Sequence, residues 1–244
     1  MPYVDIHCHL DKLTDVEAAL SRARDAGVKL VLTQGLNPEN NREALKLAEK
    51  YEGVQAALGL YPNDAIELSE EELEAELDFI RKQKPVAIGE VGLDYHWDDE
   101  HQEEMKAVFR KVLSLASEIK RPVIIHSRKA EEDVVELLEE FSDVKALLHC
   151  FSGKLSLAKR ARAAGAYFSI PANVTRSSHF QRLVDETPMN RLLTETDSPY
   201  LSPNDSENEP ANVVGAVEVI ASRKGLLVSE CANQLWLNQK RFLA

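Results

Sequence analysis

Asp5-Ile6-His7-Cys8-His9 sets two imidazoles two residues apart near the start of the chain. In an extended strand alternate side chains share a face, so His7 and His9 project together and can chelate one cation. Four more ionisable residues stand where short apolar runs end: Glu90 after Ala87-Ile88-Gly89, His126 after Val123-Ile124-Ile125, His149 after Leu147-Leu148, and Asp197 at the end of the segment from Leu192. Burying such groups is costly unless they are paired or coordinated. Read singly, each is an ordinary rim or capping residue; together, the six point to a metal site. Four imidazoles and two carboxylates suit a pair of divalent cations, with imidazole favouring zinc-like ions and carboxylate tolerating magnesium or manganese. His96, His101 and His179 have no comparable placement, and the first two flank an acidic segment read as an exposed helix start.

Two cations ~3.5–4 Å apart lower the pKa of a shared water and stabilise a leaving oxygen, which is hydrolytic chemistry. Glu90 and Asp197 are the carboxylates expected to act in it. Asp197 is the expected general base, taking the water proton and handing it to the leaving alkoxide. Two dications opposed by two carboxylates and one hydroxide leave about one net positive charge in the site, enough to hold a phosphate locally.

Residues so far apart in sequence meet only if the strands carrying them lie side by side. Eight strands are readable: Val4 to Cys8, Lys29 to Thr33, Val54 to Leu58, Val86 to Gly89, Val123 to His126, Ala146 to Cys150, Ala166 to Ser169 and Leu192 to Thr196. Helical segments separate them, two opened by capping signals at Thr14-Asp15-Val16-Glu17 and Ser69-Glu70-Glu71-Glu72. Gly27, Gly53, Pro85, Pro122 and Gly165 each break the chain just before a strand. Strict alternation of this kind predicts an α/β fold, a (β/α)8 TIM-type barrel, with the six residues on its C-terminal rim. Segments Val213 to Lys224 and Val228 to Phe242 are read as a closing helix and an extra C-terminal helix.

At 244 residues the chain is the size of one such barrel, so residues 1–244 are expected to form a single domain. With 44% of residues hydrophobic and 29% charged, a large core and a solvated surface are both available, and disorder is excluded. Apolar runs fall far short of the ~20 residues that span a bilayer, and the start of the chain lacks a secretory pattern, so a cytoplasmic protein without a membrane partner is expected. Cys8, Cys150 and Cys231 form no CxxC pair and are read as small buried hydrophobes in a reducing compartment. A formal net charge of −12 excludes a broad basic nucleic-acid-binding face.

Five segments carry a family resemblance: Asp5-Ile6-His7-Cys8-His9-Leu10, Ile88-Gly89-Glu90-Val91-Gly92-Leu93-Asp94-Tyr95, Val123-Ile124-Ile125-His126-Ser127-Arg128, His149-Cys150-Phe151-Ser152-Gly153 and Glu195-Thr196-Asp197-Ser198-Pro199-Tyr200-Leu201. In order and extent they resemble the TatD-like metal-dependent hydrolases, a branch of the amidohydrolase superfamily. The resemblance implies that His7, His9 and Asp197 hold one metal, His126 and His149 the other, and that Glu90 bridges them. It further implies hydrolysis of phosphodiesters in DNA, including exonuclease action from the 3′ end, with magnesium-, manganese- or zinc-like ions.

Two departures bear on substrate rather than metal. Gly59-Leu60-Tyr61-Pro62 stands where the family has Gly-x-His-Pro, and Asn204-Asp205-Ser206-Glu207 stands where an Arg-Gly step precedes Asn-Glu-Pro. Tyr61 thus stands near the substrate in place of a histidine or only packs against Pro62 at the barrel mouth, and Arg128 either offers a phosphate its donor fork or forms a salt bridge on the rim. Phe151, Tyr95 and Tyr200 are candidates for stacking on a base, with core or rim packing the favoured alternative for each, and Asp94 is read as orienting a neighbouring group or supporting its loop, not as catalytic. Hydrolysis of a small phosphoester, amide or lactone is the competing enzymatic reading, since one fold serves many chemistries. A non-catalytic metal-binding protein is the third.

Overall fold

A computed structural model describes residues 1–244. Eight parallel strands pair in chain order: β1 (Tyr3–Cys8), β2 (Val28–Gln34), β3 (Val54–Leu58), β4 (Ala87–Asp94), β5 (Val123–Arg128), β6 (Ala146–Leu148), β7 (Tyr167–Pro171) and β8 (Leu192–Glu195). Helices α1 (Val16–Ala26), α2 (Pro38–Lys50), α3 (Pro62–Ile66), α4 (Glu70–Gln83), α5 (Gln102–Ile119), α6 (Glu131–Glu140), α7 (Leu155–Ala163), α8 (Ser178–Glu186), α9 (Val213–Lys224) and α10 (Val228–Leu243) follow the strands around the outside. This is the (β/α)8 barrel expected from the alternation. No helix is long and apolar enough to cross a membrane.

The lumen is packed. Every strand contributes to one buried apolar cluster comprising Val4, Ile6, Leu30, Leu32, Ala57, Ala87, Ile124, Leu147, Tyr167 and Leu193, and Phe242 of α10 completes it. Strand residues of opposite phase, such as Val31, Ile88, Val123 and Ile125, belong to the larger cluster shared with the helices. Layered filling of this kind leaves only the C-terminal rim for polar side chains.

Two strands lose phase where the polar residues begin. Between Asp5 and Cys8 β1 spends one residue more than β2, and between Ile88 and Val91 β4 spends one more than β5. Such bulges re-aim side chains. Below the first bulge Val4 and Ile6 fill the lumen; above it Cys8 joins the outer cluster. Glu90 occupies the second bulge. The fourth strand therefore does not end at Gly89, as the glycine suggested, but continues to Asp94. Gly92 permits that continuation, because its φ is +134° and a Cβ there would collide with the His126 carbonyl. Gly59 is required for a similar reason, since its Cβ would lie 2.5 Å from the Glu90 carbonyl oxygen.

Between β8 and β1 the ladder does not close. Side chains and loop amides bridge the gap instead. Thr194 Oγ1 donates to the Val4 carbonyl at 2.7 Å, and Asp5 accepts from Thr196 N at 2.8 Å and Thr196 Oγ1 at 2.5 Å. Just above, Asp197 N donates to the His7 carbonyl at 3.0 Å and His9 N to the Ser198 carbonyl at 2.8 Å.

Of the two capping signals, Ser69 forms the full reciprocal box with Glu72. Thr14 does not cap α1. Asp15 does, accepting from Ala18 N at 3.0 Å, because the Thr14 hydroxyl is given to Glu207 of the loop after β8 at 2.9 Å.

Candidate metal centre

All six residues come together on the C-terminal rim. His7 lies in β1 and His126 in β5; His9 and His149 each stand one residue beyond a strand, and Asp197 stands two beyond β8. His7 is completely buried, while Glu90 is 3% and Asp197 14% exposed by side chain. Asp197 is thus the more open carboxylate of the two, and its backbone is left-handed at φ 56°, a conformation an Asp tolerates better than most residues.

The ligand-type atoms form two groups. His7 Nε2 lies 3.5 Å from Glu90 Oε2 and 3.4 Å from Asp197 Oδ1; His9 Nε2 lies 3.4 Å and 3.5 Å from the same two oxygens. A regular tetrahedron with edges of that length has its centre about 2.1 Å from each corner, a normal zinc–nitrogen or zinc–oxygen distance. In the second group Glu90 Oε1 lies 2.9 Å from both His126 Nδ1 and His149 Nε2, which are 3.2 Å apart. Glu90 therefore divides its two oxygens between the groups. The donor set fits cations on a further count: both ring nitrogens of His7, though buried, have no hydrogen-bond partner.

Charge is balanced within the cluster. Burial pushes the Glu90 carboxyl up, but the charges of His149 and His7 and hydrogen bonds from His126 and His149 hold it well below the usual carboxylate range. Asp197 behaves likewise, its burial outweighed by the nearby imidazoles of His7 and His9. Burial pulls His7 down, yet Glu90 and Asp197 raise it to about 9. Two carboxylates that stabilise protons on imidazoles this strongly would stabilise divalent cations in their place.

Outer residues fix the ring orientations. Asp94, fully buried, takes His126 Nε2 at 2.8 Å and so turns Nδ1 towards Glu90. Tyr61 OH donates to the same Asp94 oxygen at 2.5 Å and lies 3.4 Å from His126 Nε2. Glu195, also fully buried, accepts from Ser169 Oγ at 2.6 Å and Cys150 N at 2.8 Å, with His149 Nδ1 at 3.7 Å. In the sequence Asp94 is read as orienting a neighbour or supporting its loop, and it bonds both His126 and the His96 amide; Glu195 is assigned no role there. A signal was available for Glu195: it is an acidic residue inside the segment Leu192 to Thr196 that the sequence assigns to the eighth strand.

The substrate-side residues separate. Arg128 is exposed at the end of β5, its guanidinium 5.3 Å from the Trp97 ring centre. Tyr200 is 55% exposed, its ring 5.9 Å from that of His9. Phe151 has no open face: it is fully buried, edge-on to Phe168, because the chain turns inward after Cys150. Tyr61 spends its hydroxyl on Asp94. The loop that lacks the Arg-Gly step is tied to α1 through Glu207 on Thr14 and Glu209 on Arg22, and Asn208 anchors it by donating to the carbonyls of Thr196 and Tyr200. His101 is exposed and paired with Asp98 at 2.7 Å, and His179 bonds the Phe151 carbonyl.

A barrel whose rim gathers four histidines and two buried carboxylates defines a metal-dependent hydrolase. The chain belongs to the TatD related DNase family, whose model matches residues 4–244. It is 37% identical to the uncharacterized metal-dependent hydrolase YabD of Bacillus subtilis, over 97% of each chain. It is 34% identical to the 3′-5′ ssDNA/RNA exonuclease TatD of Shigella flexneri, over 86% of each. The crystal structure of the TatD homologue YJJV of Escherichia coli superposes with a TM-score of 0.89 at 31% identity, covering 97% of this chain and 95% of that one.

Proposed function

We propose that residues 1–244 form one two-metal phosphodiesterase, a deoxyribonuclease that removes nucleotides from the 3′ end of DNA. The observation that carries this reading is the division of Glu90, with Oε2 facing His7 and His9 and Oε1 facing His126 and His149. His7, His9 and Asp197 would hold one cation, His126 and His149 the other, with Glu90 between them. Two bound dications would lower the pKa of a water and neutralise charge on the phosphate and the leaving oxygen. Asp197, more open than Glu90, accepts the water proton and returns it to the leaving oxygen. Asp94 keeps Nδ1 of His126 turned inward throughout, and Glu195 limits the movement of His149.

Named activities of the relatives support a nucleic-acid substrate. A small phosphoester, amide or lactone is the second reading, favoured by Tyr61, whose hydroxyl is committed to Asp94 where the family has an imidazole. The deciding experiment follows 5′-labelled single-stranded DNA, beside a panel of small phosphoesters, amides and lactones, with metal content determined. Stepwise shortening from the 3′ end is expected. Turnover of a small ester by fully metallated protein that leaves DNA intact would establish the second reading.

A further inference from the structure

Arg128 and His126 are two residues apart on β5, so they point to the same side of the strand, which for His126 is the metal centre. The Arg128 side chain forms no ion pair, unlike Arg110 and Arg160 on the helices that flank β5 and β6, and so keeps its donors free. It lies instead against the indole of Trp97. That indole is 67% exposed, an unusual state for the largest apolar side chain on the rim of a polar site. Its segment is nevertheless anchored. The His96 ring meets the Trp97 ring edge-on at 4.7 Å, and His96 N donates to Asp94 Oδ1 at 2.8 Å. Asp94 thus orients His126 with one oxygen and secures the Trp97 segment with the other.

We propose that Trp97 and Arg128 form a nucleotide subsite on the β4–β5 side of the mouth, in which the indole face takes an unpaired base and the guanidinium takes the adjoining phosphate. This rests on the nuclease reading and extends it to specificity. A guanidinium offers phosphate a matched fork of donors, and an indole stacks on any base without reading its identity. Since a base within a duplex already stacks on its neighbours, the subsite selects single-stranded or frayed ends. Its reach is one base. Beyond Trp97 the chain runs through Asp98, Asp99 and Glu100, which repel further phosphates.

The test compares two 5′-labelled single strands of equal length, one with ordinary 3′ nucleotides and one whose 3′-terminal residues are abasic. Trp97→Ala is expected to raise KM about tenfold on the ordinary strand, and at least five times more than on the abasic strand. Trp97→Phe should recover most of that loss. Arg128→Gln should raise KM on both strands. In a Trp236→Phe background, which leaves Trp97 the only tryptophan, a phosphorothioate strand should quench fluorescence in a saturable manner. Equal losses on both strands, or indole emission unmoved by a strand that inhibits turnover or that the protein binds, would overturn the subsite. The nuclease reading is judged separately, by whether the wild type shortens either strand.

Discussion

His126 and its partners rest on a continuous parallel ladder, with β4 and β5 paired from Ile88 to Asp94 and β5 paired in turn with β6. His7, His9 and Asp197 face one another across the β8–β1 edge, where no ladder runs and a few side-chain bonds, with two loop amides, substitute for it. On the ladder side, orientation is refined by side chains on an already fixed backbone. Across the seam, side chains hold the backbone itself. Asp5 is the clearest case: burial pushes its carboxyl up to about 7 even though Thr196 donates to both of its oxygens. A change on the ladder side should therefore disturb one cation, and a change in the seam should disturb a cation and the fold together.

Glu90→Gln removes the one group common to both halves, and it has the largest expected effect. An amide offers one oxygen rather than two, so both cations should be lost by elemental analysis and turnover should fall by more than about 10³-fold. Retention of one ion would show that the halves assemble independently. Asp197→Asn comes next. It leaves an oxygen near His7 and His9 but cannot take a proton, so kcat should drop ~10²–10⁴-fold with a smaller change in KM. A wild-type kcat across pH in a fully metallated Asn variant would assign the base elsewhere.

Thr196→Val tests the seam. It strips one donor from a fully buried carboxylate, at a cost of about 1–3 kcal/mol, seen as a lower midpoint in urea. Metal affinity should fall in the His7, His9 and Asp197 group alone. Tyr61→Phe is the ladder-side counterpart and the smallest effect. Asp94 keeps His126 and the His96 amide, so stability should change by under about 1 kcal/mol, while metal affinity falls about tenfold. If the Phe variant loses stability like the seam variant, the contrast between the halves fails.

The same contrast explains what was legible in the sequence. Rim positions of Glu90, His126, His149 and Asp197 could be read because each closes a strand segment, a pattern created by lumen packing, and His7 and His9 from their alternate spacing. The β4 bulge could not: Gly89 and Gly92 look like strand breaks until the Gln34 and Ile124 side chains, at Gly89, and the His126 carbonyl, at Gly92, are seen to need that space. For Asp94 the sequence supported orienting a neighbour without naming His126, and Glu195 went unassigned because it stands as one more acid beside Asp197. Asp5 and Thr196 are 191 residues apart, and nothing local relates them. Of the two readings of Phe151, stacking fails and core packing holds: its position beside His149 and Cys150 suggested the mouth, whereas the left-handed turn at Cys150 directs it into the core.

The most direct measurement is a crystal of the protein grown with zinc or manganese, with anomalous scattering recorded at the metal edge. Two peaks are expected ~3.5–4 Å apart, one among His7, His9 and Asp197 and one between His126 and His149, with Glu90 reaching both. A single peak, or two that do not share Glu90, would contradict the two-metal centre.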